Sequence, residues 1–132
     1  MKKQINVVGA VVVRDGTILS AQRSASMSLP GMWEFPGGKI EAGETPEQAL
    51  RREMQEELLC TIDVGAHVET TSFEYDFGVV TLTTFYATLV EGEPRLTEHA
   101  EIRWIAAADL DSVTWAPADV PAVHRIMSDL AA

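Results

Sequence analysis

The sequence has a single cysteine, Cys60, so no internal disulfide can form and a reducing compartment suits the chain. The expected role of that thiol is buried filler. No apolar run approaches the roughly 18 residues that a transmembrane helix needs. Met1-Lys2-Lys3-Gln4-Ile5 carries two lysines, but the apolar segment after it is too short, and lacks the cleavage site, for a secretory signal. A cytoplasmic protein with no membrane partner is therefore expected. Basic residues are also scarce: 10 Lys and Arg stand against 20 Asp and Glu, for a net charge of −10. That balance argues against a nucleic-acid polymer as partner, because gripping a phosphate backbone requires basic surface that displaces counterions. A polyphosphate substrate would be repelled as well, unless metal ions and a few placed cations intervened. Arg23 and Lys39 are early candidates for those cations. No repeat, low-complexity tract or linker divides the chain, and residues 1–132 read as one domain with a real core.

What the sequence does have is an organised stretch from Gly37 to Leu58, GGKIEAGETPEQALRREMQEEL. Thr45-Pro46-Glu47-Gln48 reads as a capping box, with Thr45 as N-cap, Pro46 at the first helical position and Gln48 reaching back. In the helix that follows, Leu50, Met54 and Leu58 form an apolar stripe. Glu53, Glu56 and Glu57 stand at i, i+3 and i+4 on another face. Close like charges cost about 0.2–0.5 kcal/mol per pair, and the helix dipole at that end is also negative. Arg52 offsets only part of this. A solvated acidic face is the plain reading. The fixed order of glycine turn, cap and three acids favours a hard divalent cation instead, and Mg²⁺ suits carboxylates shared with waters and phosphates.

Around that stretch the pattern is largely β. Ile5 to Val13 is β-branched and apolar, as in a strand covered on both faces. A D-G turn at Asp15-Gly16 returns the chain through Ile18 to Ala21. Trp33 to Gly38 reads as a short strand running into the glycine pair. Ile62 to Val68 and Thr70 to Phe77 are extended, with Gly65 as a bulge. Val79 to Val90 is a strand with one polar face, and Glu101 to Ile105 a last short one. Ala107 to Leu110 forms a helical turn. Pro121 to Leu130 is an amphipathic helix presenting Val123, Ile126, Met127 and Leu130. The order predicts an α/β layered domain.

The order Gly38, five residues, Glu44, seven residues, then Arg52-Glu53-Met54-Gln55-Glu56-Glu57 resembles the Nudix box. The chain departs from it at Leu59, where the family has a glycine that ends the helix in a left-handed conformation. The resemblance implies a Nudix fold, a mixed β-sheet sandwiched between α-helices. It implies metal binding by the main-chain carbonyl of Gly37 with Glu53, Glu56 and Glu57, and an Arg52 that orients the glutamates, with a plain helix-surface role for Arg52 as the alternative. It also places Arg23, Glu34 and Phe35 in the substrate pocket, although a surface role for Arg23 and core packing for Trp33 and Phe35 stay open. Glu98, in the loop before the last strand, matches a catalytic glutamate of the family, although a merely solvated loop role stays open. Glu53 competes with it as general base, and His99 is a third candidate.

By the same resemblance the activity is Mg²⁺-dependent, with Mn²⁺ as substitute, and converts a nucleoside triphosphate and water to a monophosphate and diphosphate. The start of the chain, the wording GGKIEAGETPEQA and the late Ala116-Pro117-Ala118-Asp119-Val120-Pro121 segment resemble two groups of the family. One is MutT-like and acts on 8-oxo-dGTP; the other acts on CTP and modified pyrimidine triphosphates. Asp119 stands where the MutT pattern has asparagine. An ionised aspartate only accepts hydrogen bonds, which suits the exocyclic amine of cytosine. This favours CTP or dCTP, and a protonated Asp119 would remove the distinction. A plain N-cap role for Asp119 before Pro121 also stays open. Other readings are a nucleotide-sugar hydrolase or a non-catalytic nucleotide sensor, and the protein is expected as a monomer or homodimer.

Overall fold

The computed structural model describes residues 2–131. Strands β1 (Gln4–Arg14) and β2 (Thr17–Gln22) form an antiparallel hairpin across Asp15 and Gly16. Both turn residues have positive φ, 52° and 75°, the turn geometry whose twist matches that of the flanking strands. β1 also pairs in parallel with β6 (Gly78–Glu91), which pairs antiparallel with β5 (Thr61–Tyr75). β4 (Gly37–Lys39) lies antiparallel on β1, while β3 (Trp33–Glu34) and β7 (Glu101–Ala106) lie antiparallel on β2. The sheet is therefore mixed, and β1 at its centre is covered on both faces as its composition predicts. Val8, Ala10 and Val12 enter one core with Leu50, Met54 and Leu58 of helix α1 (Pro46–Leu58). Val11 enters the other with Trp33, Trp115, and Val123 and Ile126 of helix α2 (Val120–Asp129). Leu50, Met54 and Leu58 are wholly buried, each contributing about 1.5–3 kcal/mol. No helix among the described residues is long and apolar enough to cross a membrane.

Several elements differ from the sequence pattern. Trp33 to Gly38 is not one strand. Glu34 pairs with Ala21 of β2, whereas Gly37 pairs with Gly9 of β1, and the chain changes partner at Phe35-Pro36. Pro36 has no N–H for a ladder, and its carbonyl instead accepts from the Ala10 N–H at 2.8 Å. β5 runs through without a break, its register slipping between Val64 and His67 around the expected bulge at Gly65. The polar face of β6 is interrupted by Thr84, which is fully buried and donates its hydroxyl to the Glu69 carbonyl at 3.1 Å. α2 stops at Asp129, leaving Leu130 39 % exposed rather than on the buried face.

Helix α1 starts as its sequence dictates. The Thr45 hydroxyl accepts from the Gln48 N–H at 3.1 Å, and the Gln48 side chain accepts from the Thr45 N–H at 2.9 Å. It ends at Leu59, which takes the left-handed conformation (φ 55°, ψ 37°) despite its side chain. The last carbonyls are satisfied from elsewhere. The Arg95 N–H donates to the Leu58 carbonyl at 2.9 Å, and the Thr97 hydroxyl donates to the Glu57 carbonyl. Half-exposed Leu59 gains little from packing to offset its strained backbone, so Leu59→Gly is expected to raise stability by about 0.5–1 kcal/mol. Thermal unfolding should show a Tm higher by roughly 2–5 °C.

Candidate active site

A cavity of about 420 Å³ opens between the sheet and the loops around it. Gly37, Gly38, Lys39 and Glu57 form one part of its wall; Phe35, Tyr75, Leu82 and Asp119 form another, with Arg23 and Glu34 also lining it. Space explains the glycine pair. A Cβ at Gly37 would lie 1.9 Å from the Val8 carbonyl oxygen, and one at Gly38 would lie 2.4 Å from the Glu53 carboxyl carbon. Only bare backbone fits between β1 and the acidic face of α1.

Arg52 organises that face. Its Nε and Nη2 donate to both oxygens of Glu44, at 2.6 and 2.9 Å, and its Nη1 donates to Glu53 at 2.8 Å. The same guanidinium reaches Glu56 at 3.3 Å and the Lys39 carbonyl at 3.0 Å. Much of the like-charge conflict along α1 is thereby neutralised, which excludes a plain helix-surface role for Arg52. Glu44 is held down to about 2 by the Arg52 hydrogen bond, aided by the Glu41 N–H. The bidentate Glu44–Arg52 pair was not assigned from the sequence. Its only sign there is the eight-residue spacing from the acidic turn.

Glu57 has the opposite environment. Burial pushes its carboxyl up to about 7; neighbouring Glu34 and Glu53 add to the rise, and His99 and the Gly37 backbone oppose it. Its Oε1 is buried with no hydrogen-bond partner. As the side chains stand, no three His, Cys, Asp or Glu groups among the described residues converge as a cation cage. Glu53 and Glu56 are turned to Arg52, while Glu57 faces the cavity. The donor set nonetheless fits a hard cation. The donors are carboxylate oxygens beside a bare glycine backbone, and one of them is an orphaned buried atom that a cation would satisfy.

Two loops meet at Glu34. Its Oε1 accepts from Arg23 Nη1 at 2.5 Å, and its Oε2 accepts from His99 Nε2 at 2.8 Å. Arg23 is further pinned by Nε to the Ser28 carbonyl and Nη2 to the Ser28 hydroxyl, so it is a cavity residue and not a free surface charge. Burial pulls the His99 pKa down, but the hydrogen bond and charge of Glu34, with the charge of Glu57, raise it overall. Glu98, next in the chain to His99, is exposed and lines no part of the cavity.

Trp33 is a core residue. Phe35 serves both roles left open for it: its ring packs on Trp115 at 4.6 Å between centroids, and it also lines the cavity. Asp119 makes no side-chain cap bond to α2, which overturns the N-cap reading. Its Oδ2 instead accepts from the Phe35 N–H at 3.0 Å, drawing a residue 84 positions away into the wall. Burial drives its carboxyl well above the ordinary range; the negative charge of Glu34 adds to this, and the Phe35 N–H and Arg23 oppose it. Tyr75 is a wall residue that sequence reasoning missed. Its hydroxyl accepts from the Ala118 N–H at 2.8 Å, and only the Phe73-Glu74-Tyr75-Asp76-Phe77 alternation marks it in the sequence.

The chain is similar to known proteins. The chain is 37% identical over 126 residues to a CTP pyrophosphohydrolase of Escherichia coli, covering 96% of this chain and 93% of that one. It is 34% identical over 131 residues to an 8-oxo-dGTP diphosphatase of Haemophilus influenzae, covering 98% and 96%. A solution structure described as the DNA mismatch repair protein MutT, of the Nudix hydrolase family, from methicillin-resistant Staphylococcus aureus superposes with a TM-score of 0.81. It is 56% identical to this chain, with 98% and 99% covered. The family model described as the NUDIX domain matches residues 3–128. The chain belongs to the Nudix family of hydrolases.

Proposed function

We propose that residues 1–132 act as one cytoplasmic domain that hydrolyses nucleoside triphosphates to monophosphate and diphosphate with Mg²⁺. Mn²⁺ would substitute, and neither a nucleic-acid polymer nor a membrane takes part. The observation that carries the proposal is one cavity joining an acid-lined end, at Glu57 and Gly37, to a largely apolar end that includes Asp119. Glu53, Glu56, Glu57 and the Gly37 carbonyl would hold the ion, which supplies charge neutralisation on the phosphate oxygens. Arg52 sets the rotamer of Glu53. Arg23 offers a cation to an anionic substrate that the net charge of −10 would otherwise repel. Phe35, Tyr75 and Leu82 give the base an apolar slot.

For the general base, Glu53 is favoured over Glu98, because its carboxylate abuts Gly38 at the cavity wall while Glu98 faces solvent. Glu53→Gln is expected to lower kcat by about 10²–10³-fold with nucleotide affinity retained. Glu98→Gln should lose less than about tenfold. Single-turnover kinetics with pyrophosphate detection checks both, and absence of turnover in the parent would favour a nucleotide sensor.

The preferred base depends on the charge of Asp119. Ionised, it only accepts, which supports CTP or dCTP. Its burial favours the neutral acid, which donates as well as accepts and can read a purine carbonyl with its adjacent N–H. That observation brings 8-oxo-dGTP level with the cytidine substrates. Asp119→Asn reproduces the donor–acceptor pair of the neutral acid, so KM on the preferred substrate is expected to stay within about threefold. A tenfold or larger rise would show that an ionised carboxylate reads the base. The panel for this measurement is CTP, dCTP, 5-methyl-dCTP, dGTP and 8-oxo-dGTP.

A further inference from the structure

The histidine of the β6–β7 loop, His99, a candidate base by sequence, has a side chain that is wholly buried beside the cavity. A buried imidazole loses hydration that must be replaced by partners. Here only one ring nitrogen has a partner: Nε2 meets Glu34 Oε2 at 2.8 Å, while Nδ1 is buried with none. Because an ionised carboxylate only accepts, the Nε2 must carry the hydrogen, and the bond is charge-assisted. Glu34 is thus gripped at both oxygens, by His99 from one loop and by Arg23 from another. A carboxylate held at one oxygen keeps rotational freedom about its last torsion, whereas one held at both presents a fixed face to its partners. The Arg23 guanidinium is clamped between that fixed carboxylate and Ser28, which takes Nε and Nη2.

The path crosses 65 residues of sequence from the His99 loop to Glu34 of β3, and continues to Arg23 after β2. Neighbouring bonds anchor the histidine's own loop. The Ala100 N–H donates to the Gln22 carbonyl at 2.9 Å, one residue before Arg23. Thr97 is fixed to the end of α1. His99 is therefore set in a rigid frame, and what it transmits is orientation.

We infer that His99 is a positioning residue, which locks Glu34 and through it aims Arg23 at the substrate in the cavity. This deepens the proposed triphosphate reading and rests on it for its kinetic consequence. The geometric consequence stands without it. His99→Leu removes the donor and keeps the volume, while His99→Gln places an N–H near the position of Nε2.

The experiment has two arms. In the first, the Arg23 Nε–H resonance is followed by NMR in the substrate-free protein, assigned by its loss in Arg23→Lys. It should be sharp in the parent and in His99→Gln, and broadened or lost in His99→Leu. In the second, KM and kcat are measured on the best triphosphate. His99→Leu should raise KM by about tenfold with kcat within about twofold, and His99→Gln should restore KM to within about threefold. A sharp Arg23 resonance in His99→Leu, or a glutamine variant as impaired as the leucine one, overturns the inference. So does a collapse of kcat with loss of one limb of the pH profile, which would make the imidazole a general base instead. A parent that turns over no triphosphate removes the proposed function alone and leaves the NMR arm to decide on His99. Far-UV dichroism and Tm confirm that each variant is folded.

Discussion

The site depends on one guanidinium. Without Arg52, the turn carrying Glu41 and Glu44 and the helix carrying Glu53 and Glu56 would repel each other, and the hydrogen bond tying the Lys39 carbonyl to α1 would be lost. Exposed ion pairs are individually weak, but this one is bidentate, multivalent and partly buried, the circumstances in which geometry makes such pairs count. Lysine could not replace it, since a single ammonium lacks the planar fork that spans both Glu44 oxygens while also reaching Glu53. The glycine pair then completes the arrangement, letting β4 approach both β1 and the acids closely enough for backbone and carboxylates to share the same space.

The start and the buried face of helix α1 were legible in the sequence because what specifies them is local. Thr45, Pro46 and Gln48 define its start, and the Leu50, Met54, Leu58 stripe defines its buried face. Strands β1, β2, β6 and β7 were legible for the same reason, through composition and turn chemistry. What escaped was whatever depended on a distant partner. The break at Phe35-Pro36 reflects a change of neighbouring strand, which no local pattern records. Leu59 was visible as a conflict with its expected conformation. Its resolution by Arg95 and Thr97, whose loop caps the helix end from the far side of two strands, was not.

The site divides along the same line. Glu53, Glu56, Glu57, Gly37 and Arg52 form one contiguous motif, and it locates them all. Their rotamers are another matter, since Glu57 points into the cavity while Glu53 and Glu56 turn to Arg52. Arg23, Glu34, Phe35 and Asp119 were named by resemblance, and the fold gathers all four along one cavity. Their mutual bonds, Arg23 to Glu34 and Phe35 to Asp119, span 11 and 84 residues and explain why no spacing rule identifies them. The upward shift of the Asp119 carboxyl left no sign in the sequence, because it arises from burial and the charge of Glu34.

The parallel pairing of β1 with β6 has a consequence for how the protein comes to exist. From Gln4 with Val79 through Val12 with Ala87, every partner lies 75 residues further along the chain. A ribosome adding about 5–20 residues per second would leave β1 waiting roughly 4–15 s for its central neighbour. In that interval the hairpin with β2 and a nascent α1 are the structures available, and an apolar, β-branched strand remains open along one edge. The cavity wall made by Tyr75, Leu82 and Asp119 forms only after this long closure. Newly made chains are therefore most exposed to misassociation at the strand that later lies at the centre of the sheet.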